Sequence, residues 1–244
     1  MKGKQQLGRL ACALSLLVVA ACATRPPTIA HVHVGHALTG VHVTPNKEGY
    51  LVTAEQRGKE AFDLARRASA SRDLAEIKTF IAQAVEASNS EGNFGLKHAL
   101  TMASHHITFA ATSDDASVNV QRAAPVFTGD IARVLERCVL IGLLGKDIAA
   151  SSSVHEANVS VEEIVKLTQA NLEGDDTNGD GAVGSTPAEY GLRQLRSELE
   201  TVVARENPRY VTVDQWYLFN LVRLPSGKWV FDKLGRGGNI EGYK

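Results

Sequence analysis

The sequence predicts a mainly α-helical fold: a helical bundle of about six helices, with a short extended segment before it and a small hairpin after it. Between residues 49 and 206, apolar residues recur every three or four positions with charged residues between them, which is the period of an amphipathic helix. Residues 207–244 differ, because they are rich in aromatic and β-branched side chains, as strands are. With 244 residues, of which 44% are hydrophobic, the chain is long enough to bury a substantial core.

The chain begins with the three-part pattern of a secretion signal. Residues 1–9 carry the basic charge, an apolar stretch of about a dozen residues follows, and small residues precede Cys22. The apolar stretch is too short to cross a membrane as a stable helix. Residues 19–22, VAAC, resemble the lipobox of bacterial lipoproteins, in which the chain is cut before the cysteine and the cysteine is acylated. The alternative is a plain signal peptide that is cut near Ala23.

The lipobox resemblance implies an envelope lipoprotein, with residues 1–21 as a signal peptide and residues 22–30 as a lipidated tether. Ala23, in place of an aspartate after the cysteine, implies sorting to the periplasmic face of the outer membrane, so that the membrane is one partner. Cleavage would remove three basic residues and no acid, which moves the formal charge from −1 to −4. Such a mildly acidic protein offers no basic surface for nucleic acid. Cys138 would be the only remaining thiol, which excludes a disulfide within the chain.

Residues 49–206, the predicted bundle, divide into helices at capping residues and glycines. An apolar stripe predicts a first helix that ends near Ser71, whose hydroxyl can cap the second helix. The glycines in residues 88–95 end the second helix. A third helix follows over residues 94–112, with leucine and isoleucine on one side and histidine on the other.

Acidic residues and a proline predict where the next two helices begin and end. The acids of residues 113–115 favour the start of a fourth helix, and Pro125 interrupts it. A further helix restarts at residues 128–130. Its middle, CVLIGLLG, is apolar nearly all round, which predicts a central, buried helix.

Two capping boxes open the last predicted helices. Ser160 with Glu163, and Thr186 with Glu189, have the required spacing, and together they define a helix-loop-helix over residues 160–205. A polar connection from residue 149 precedes the first of them.

The aromatic C-terminal segment, residues 207–244, has two interpretations. In the first, two strands flank the turn at residues 225–228, and the return strand is WVF at residues 229–231. In the second, Thr212 opens a helix that runs to Leu224. We favour the hairpin because WVF is a good strand sequence.

The loop inside the helix-loop-helix contains the most specific motif of the chain. Residues 176–183, DTNGDGAV, match the first eight positions of an EF-hand calcium loop. Short acidic and amide side chains at alternate positions direct oxygen atoms to one centre, and the glycine at the sixth position permits the sharp turn. The predicted calcium ligands are Asp176, Asn178, Asp180, Ala182 and Glu189.

The end of this loop departs from the motif. Pro187 occupies the twelfth position, where an EF-hand has a bidentate acid, so Glu189 must supply that ligand from two residues further on. We therefore expect weak calcium binding, typical of extracellular modules. The alternative is a polar loop whose acids and glycines serve only turn geometry.

Residues 31–48 are rich in histidine and are predicted to be extended. His31 and His33 would lie on one side of a strand, because strand side chains alternate, and a turn at residues 35–40 would bring His42 back towards His33. Two or three imidazoles on one face suit zinc, copper or nickel. Alternatively, one of them could be an axial ligand of a haem iron. The candidate metal ligands of this segment are His31, His33, His36 and His42.

A second group of histidines lies on the third predicted helix. Positions i, i+4 and i+7 place two histidines and a methionine within about 60° of one another, and Phe94 and Phe109 share that face. Histidine and methionine on an interior helix face resemble the b-type haem site of helical cytochromes or a soft copper site. The alternative is that the histidines are hydrogen-bonded in the core and that the methionine fills space. The candidate cofactor ligands are His98, Met102, His105 and His106.

The leading hypothesis is a lipid-anchored periplasmic protein that binds a transition metal or haem b for an envelope redox or metal-handling system, with a calcium-stabilised loop. The runner-up is a structural or interaction lipoprotein, in which calcium is architectural, the histidines are not ligands and the C-terminal segment docks an envelope protein. An enzyme ranks third, because the sequence contains no phosphate-binding glycine loop, nucleophile elbow or zinc-protease motif.

Overall fold

The computed structural model describes residues 28–206 and the backbone of two short strands beyond them. The described part contains eight α-helices, a 3₁₀ turn and one antiparallel strand pair, which confirms a mainly α-helical bundle with a C-terminal hairpin. The elements are α1 (Ile29–Leu38), α2 (Tyr50–Ala70), α3 (Leu74–Asn89), α4 (Leu96–Thr112), α5 (Val118–Asp130), α6 (Ala132–Ala150), α7 (Val154–Glu173), the 3₁₀ turn (Pro187–Glu189), α8 (Leu192–Ala204), β1 (Leu221–Arg223) and β2 (Trp229–Phe231).

The predicted signal peptide and residues 22–27 of the predicted tether, with Cys22, lie outside the described residues, as do most of residues 207–244. Strand β1 occupies residues that the alternative C-terminal helix would have included, so that helix does not extend to Leu224 as predicted. None of the helices in the described ranges is both long enough and apolar enough to cross a membrane.

Two apolar clusters hold the bundle together. The larger joins α1, α2, α4, α5, α8 and the first half of α6 around buried side chains such as Leu51, Leu100 and Phe127. The smaller joins α2, α3, α6 and α7 around Ile77 and Ile164. Helices α2 and α6 contribute to both clusters, so they connect the two halves of the bundle.

Helix α1 replaces the extended histidine-rich segment that we predicted, and that prediction was wrong. The side chain of Thr28 caps the helix by accepting from the His31 N–H at 3.0 Å. The carboxylate of Asp115 accepts from the N–H groups of Ile29 (2.6 Å) and Ala30 (3.0 Å). A distant acid thus satisfies the free N-terminal N–H groups of the helix, and tertiary contacts override the alternating His-Val pattern.

Helix α6 is not a central, buried helix, which corrects a second prediction. Ile141 is buried, but Val139, Leu140 and Leu143 are between 44 and 52% exposed. The helix packs mainly against α3 and α7 and leaves one apolar side uncovered.

Three predicted helix boundaries also differ. Helix α5 continues through Pro125, because the buried residues around the proline hold the helix against its neighbours. Helix α7 begins at Val154, after the Ser153 cap, so Ser160 lies inside the helix and does not cap it. Thr186 opens only the 3₁₀ turn, and α8 starts at Leu192 after a new cap.

Candidate metal centre

Helix α1 brings two histidines to one side because of its period. His33 and His36 are three residues apart, which places them on the same face of an α-helix. Val34 and Leu38 lie on another face and are buried in the larger apolar cluster. Packing of that apolar face therefore determines where the two imidazoles are directed.

Helix α4 supplies the third histidine. Ala99, Ala103 and Ala110 are buried, and His106 lies on the same side of the helix, three residues after Ala103. Because these side chains are small, α1 and α4 pack closely, and this contact is among the most extensive in the bundle. His106 then lies opposite the two histidines of α1.

His33, His36 and His106 form one cluster, which we call the histidine triad. One ring nitrogen from each residue lies within 4.8 Å of the other two. The Nδ1 atoms of His33 and His106 are 3.1 Å apart, which is a hydrogen bond that requires a proton on one of them. The Nδ1 of His36 is buried and has no hydrogen-bond partner among the described residues.

Aromatic rings surround the triad and limit how its imidazoles can rotate. Tyr50, at the start of α2, stacks on His106 with ring centroids 5.2 Å apart and an interplanar angle of 24°. Phe109 contacts both His33 (5.5 Å) and His106 (5.8 Å). The three imidazole centroids are themselves 5.0 to 6.0 Å apart. Sequence analysis had not included Tyr50, because stacking across helices leaves no local signal.

The triad is neutral at neutral pH. Burial, with smaller contributions from the charges of His36, His33 and His105, lowers the pKa of His106 to about 4. Burial also lowers the pKa of His36, with smaller contributions from His33 and His42. The pKa of His33 is lowered by burial, against the opposing effect of Asp115. Each ring therefore keeps a lone pair on nitrogen, which is the form that binds a metal ion.

His31 is separate from the triad and was wrongly grouped with it. Its buried Nε2 lies 2.9 Å from a carboxylate oxygen of Glu206, just after α8. Glu206 also accepts hydrogen bonds from Ser117 at 2.7 Å and Asn119 at 2.6 Å. Burial would raise the pKa of Glu206, but the hydrogen bonds from His31, Asn119 and Ser117 outweigh it and lower that pKa. The group ties α1 to α5 and to the end of α8, and Glu206 itself gave no signal in the sequence.

The other predicted histidine ligands are not brought together as we expected. His42 follows α1 and is exposed, so it does not fold back onto His33 along a strand. On α4, the predicted face of His98, Met102 and His105 does not form the cluster. His98 contacts the edge of Phe94, Met102 packs against the larger core cluster, and His105 is exposed. His106, which we had placed beside this face, is the residue that meets α1.

The aspartate loop, residues 176–189, is ordered by hydrogen bonds to its own backbone. A carboxylate oxygen of Asp176 accepts from the Gly179 N–H at 2.8 Å, and the other accepts from the Gly181 N–H at 2.9 Å. Asp180 accepts from the Ala182 N–H at 2.8 Å. Gly179 and Gly181 have φ values of 73° and 84°, the left-handed conformation that glycine adopts without strain.

Glu189 is buried at the end of this loop and its carboxylate is directed into it. It accepts from the N–H of Asn178 at 3.3 Å and from the N–H of Ser185 at 2.8 Å. The side chain of Thr186 makes no cap hydrogen bond, so the predicted capping box is incomplete. Burial would raise its pKa, but hydrogen bonds from Ser185, Asn178 and Thr186 outweigh it and lower that pKa. The loop carboxylates are engaged by N–H groups, and in the described ranges only the triad places ligand atoms of three His, Cys, Asp or Glu residues within 4.8 Å of one another.

Arg137 of α6 joins the two ends of the aspartate loop. The residue is 1% exposed, and its Nη1 donates to the carbonyl of Ala170 at 3.2 Å and to that of Tyr190 at 2.7 Å. These carbonyls lie at the end of α7 and just after the 3₁₀ turn. Cys138, the next residue, is also buried, and burial raises its pKa to about 12, which makes the thiol unreactive.

Fold and site together define a helical bundle with a cluster of three neutral histidines between α1 and α4. The chain matches no protein-family model, no curated protein and no solved structure at a significant level.

Proposed function

We propose that this protein binds a divalent late transition-metal ion, zinc or copper, through His33, His36 and His106. The observation that carries the proposal is the convergence of three ring nitrogens within 4.8 Å from helices that are distant in sequence. Neutral imidazole is a preferred ligand of both metals, and three histidines with an open fourth position form a known type of zinc site.

The distances suit an ion with small adjustments of the side chains. Zinc–nitrogen bonds of about 2.0–2.1 Å in tetrahedral geometry place neighbouring nitrogens about 3.3 Å apart. The Nδ1 atoms of His33 and His106 are already 3.1 Å apart. A metal ion would replace the proton that these two atoms share, and one ring nitrogen of His36, within 4.8 Å of the others, would be its third ligand.

An ion fits this cluster better than haem does. A haem iron takes one or two axial histidines, on opposite sides of a wide, flat porphyrin. The imidazoles of the triad contact one another directly, with centroids as close as 5.0 Å, and Tyr50 and Phe109 fill the adjacent space. A porphyrin would have to separate these rings.

The lipobox resemblance supports a location for this activity. A chain acylated at Cys22 would hold the triad at the periplasmic face of the outer membrane, in a metal-handling or redox system of the envelope. Half-buried imidazoles with aromatic neighbours suit storage or delivery of an ion, because the ion remains accessible from solvent.

Calcium is the second part of the proposal. The direction of the Glu189 carboxylate into the aspartate loop favours it, because that residue replaces the missing twelfth-position acid. Calcium would have to displace several N–H donors from the carboxylates, which is consistent with weak binding.

The test is metal analysis of the protein purified from its own host, with zinc titration of the metal-free form. We expect one zinc or copper ion per chain, lost in the double variant His33→Ala/His36→Ala and retained in the control His155→Ala. His155 is an exposed histidine of α7, outside the triad. A Soret band in the visible spectrum would support haem instead, and calcium as the sole bound metal would support a structural lipoprotein.

A further inference from the structure

Helix α1 is held to the bundle on two opposite sides of its first turns. His31 and His33 are two residues apart, which separates their side chains by about 200° around the helix. His33 is directed to His106 of α4, with the two Nδ1 atoms 3.1 Å apart. His31 is directed to Glu206, with its Nε2 atom 2.9 Å from a carboxylate oxygen. A movement that separates this part of α1 from the bundle must therefore break both contacts.

Glu206 connects α1 to the ends of two other helices. Its buried carboxylate accepts from Ser117 at 2.7 Å and from Asn119 at 2.6 Å, at the start of α5. Asn119 also donates to the carbonyl of Val202, in α8, at 2.8 Å. The end of α8 is thus held by α1 and α5 together, and loss of the His31 contact would leave a buried carboxylate with fewer partners.

Helix α1 can be docked or undocked as a unit. With ten residues it is too short to be a stable helix alone in water, so its helical form depends on its contacts. These are the apolar contacts of Ala30, Val34 and Leu38 with the larger cluster, and the Asp115 carboxylate at its first N–H groups. The triad and Glu206 both favour the docked form, so each affects the same equilibrium.

We propose that α1 is a metal-dependent latch: an ion in the triad keeps α1 docked and thereby holds the end of α8, and loss of the ion releases that end. This inference rests on the proposed function of the triad. The ion acts by binding only the docked form of α1, in which the imidazoles of α1 and α4 are together. Because the chain continues from Glu206 into the aromatic segment of residues 207–244, the latch would couple ion occupancy to the point from which that segment starts.

The experiment is amide hydrogen exchange of the full-length chain, metal-free and with zinc at about a thousand times its Kd. The amides of α1 should exchange up to about a thousandfold more slowly with zinc, because undocking then requires loss of the ion. The amides of Arg205 and Glu206, which donate to the carbonyls of Val202 and Val203, should slow at least about tenfold. The Ser90 amide at the end of α3, which opens by local fraying outside the contacts of α1, should not respond.

Two variants test the contact between His31 and Glu206 from its two sides. In His31→Ala, Glu206 keeps its donors Ser117 and Asn119, so the end of α8 should remain protected but should change less than about twofold with zinc. Glu206→Ala removes the contact without altering α1, and it should show the same loss of response while zinc still slows the amides of α1. Arg205→Ala, at an exposed neighbouring position, is the matched control and should keep the wild-type response.

The outcomes separate the latch from the proposed function of the triad. Zinc that slows the amides of α1 but leaves the end of α8 unchanged in the wild type contradicts the latch alone. An unchanged zinc response in both variants contradicts it as well, and so does an equal slowing of the Ser90 amide, because zinc would then act on the whole fold. A wild type in which zinc does not slow the amides of α1 contradicts the proposed function of the triad itself.

Discussion

The histidine triad and the aspartate loop are both candidate ion sites, but they are built in opposite ways. The loop consists of consecutive residues, 176–189, and its oxygens are occupied by N–H groups of the same segment. The triad joins α1 to α4, and its nitrogens have few partners other than one another. Order within the loop therefore does not require an ion, whereas an ion at the triad would add a contact that the helices otherwise lack.

The largest expected effect is the stabilisation of the fold by zinc bound to the triad. Zinc at a thousand times its Kd should raise the free energy of unfolding by about 4 kcal/mol, because only the folded chain brings the three imidazoles together. The variant His106→Ala should lose this increase. Thermal or denaturant unfolding with zinc and with a chelator measures both values.

The control for this experiment is His155→Ala, in which the zinc-dependent increase should remain. An equal zinc-dependent increase in the free energy of unfolding of His106→Ala would mean that zinc binds elsewhere. The triad would then not be the ion site that distinguishes it from the loop.

The second largest effect is expected on removal of Arg137, which joins the two ends of the aspartate loop. Arg137→Met should lower the free energy of unfolding by about 3 kcal/mol, because the carbonyls of Ala170 and Tyr190 lose their donor in a buried place. Denaturant unfolding measures the change. Arg133→Met, on the same helix but more exposed and paired with Glu136, should change stability by no more than about 0.5 kcal/mol. Similar values for the two variants would show that Arg137 does not stabilise the loop ends.

A smaller effect is expected from calcium. Competition with N–H donors for the same carboxylates weakens calcium binding, so we expect only about a tenfold excess over its Kd to be reached, at which calcium should stabilise the fold by about 1.4 kcal/mol. Calorimetric unfolding of the wild type and of Asp176→Asn tests this, and only the wild type should respond. Asp114→Asn is the control, since Asp114 is an exposed acid outside the loop. A wild type that does not respond to calcium would leave the loop a purely structural turn.

The smallest effect is the pH dependence of the metal-free protein. The folded state lowers the pKa of His106 from 6.5 to about 4, so the unfolded chain binds more protons between these values, and stability should fall as the pH falls through this window. Asp130 and Glu198 act in the opposite direction, because burial raises the pKa of both, that of Glu198 to about 7.

The measurement therefore compares the wild type with His106→Gln, with a chelator present. The acid-induced fall in the melting temperature should be smaller in the variant by about 2–4 °C, which corresponds to about 1 kcal/mol for a chain of this size. Identical pH profiles would show that His106 is not held in its neutral form.

The sequence predicted the bundle well because helical periodicity is a local property. The stripes of α2, α3 and α4 follow from which residues are apolar, and the structure places them as expected. The antiparallel pairing of β1 with β2 was also predicted, and it is confirmed. Boundaries were less accurate at α7, where Ser153 caps the helix in place of the predicted Ser160, and at α8, which starts after Gly191 and not after the predicted Thr186.

The candidate site was predicted in part. The structure brings together His33, His36 and His106, which are three of the candidate ligands that the sequence indicated. The grouping of His31 with them is wrong, because its ring is directed to Glu206. In a strand, residues i and i+2 share a face, whereas in an α-helix residues i and i+3 do. The error in the secondary structure of α1 therefore grouped His31 with His33, where the helix groups His33 with His36.

Some properties of this protein depend on short stretches of sequence alone. The apolar periods, the pattern at residues 19–22 and the aspartate loop are of this kind, because each involves interactions between near neighbours. Only the tertiary structure decided the triad, the His31–Glu206 contact and the hydrogen bonds of Arg137 to the two ends of the aspartate loop. Their partners come from separate helices, and the docking of apolar faces determines which polar side chains meet. The folded core therefore decided which imidazoles lie together, and the local sequence decided only that there would be helices to carry them.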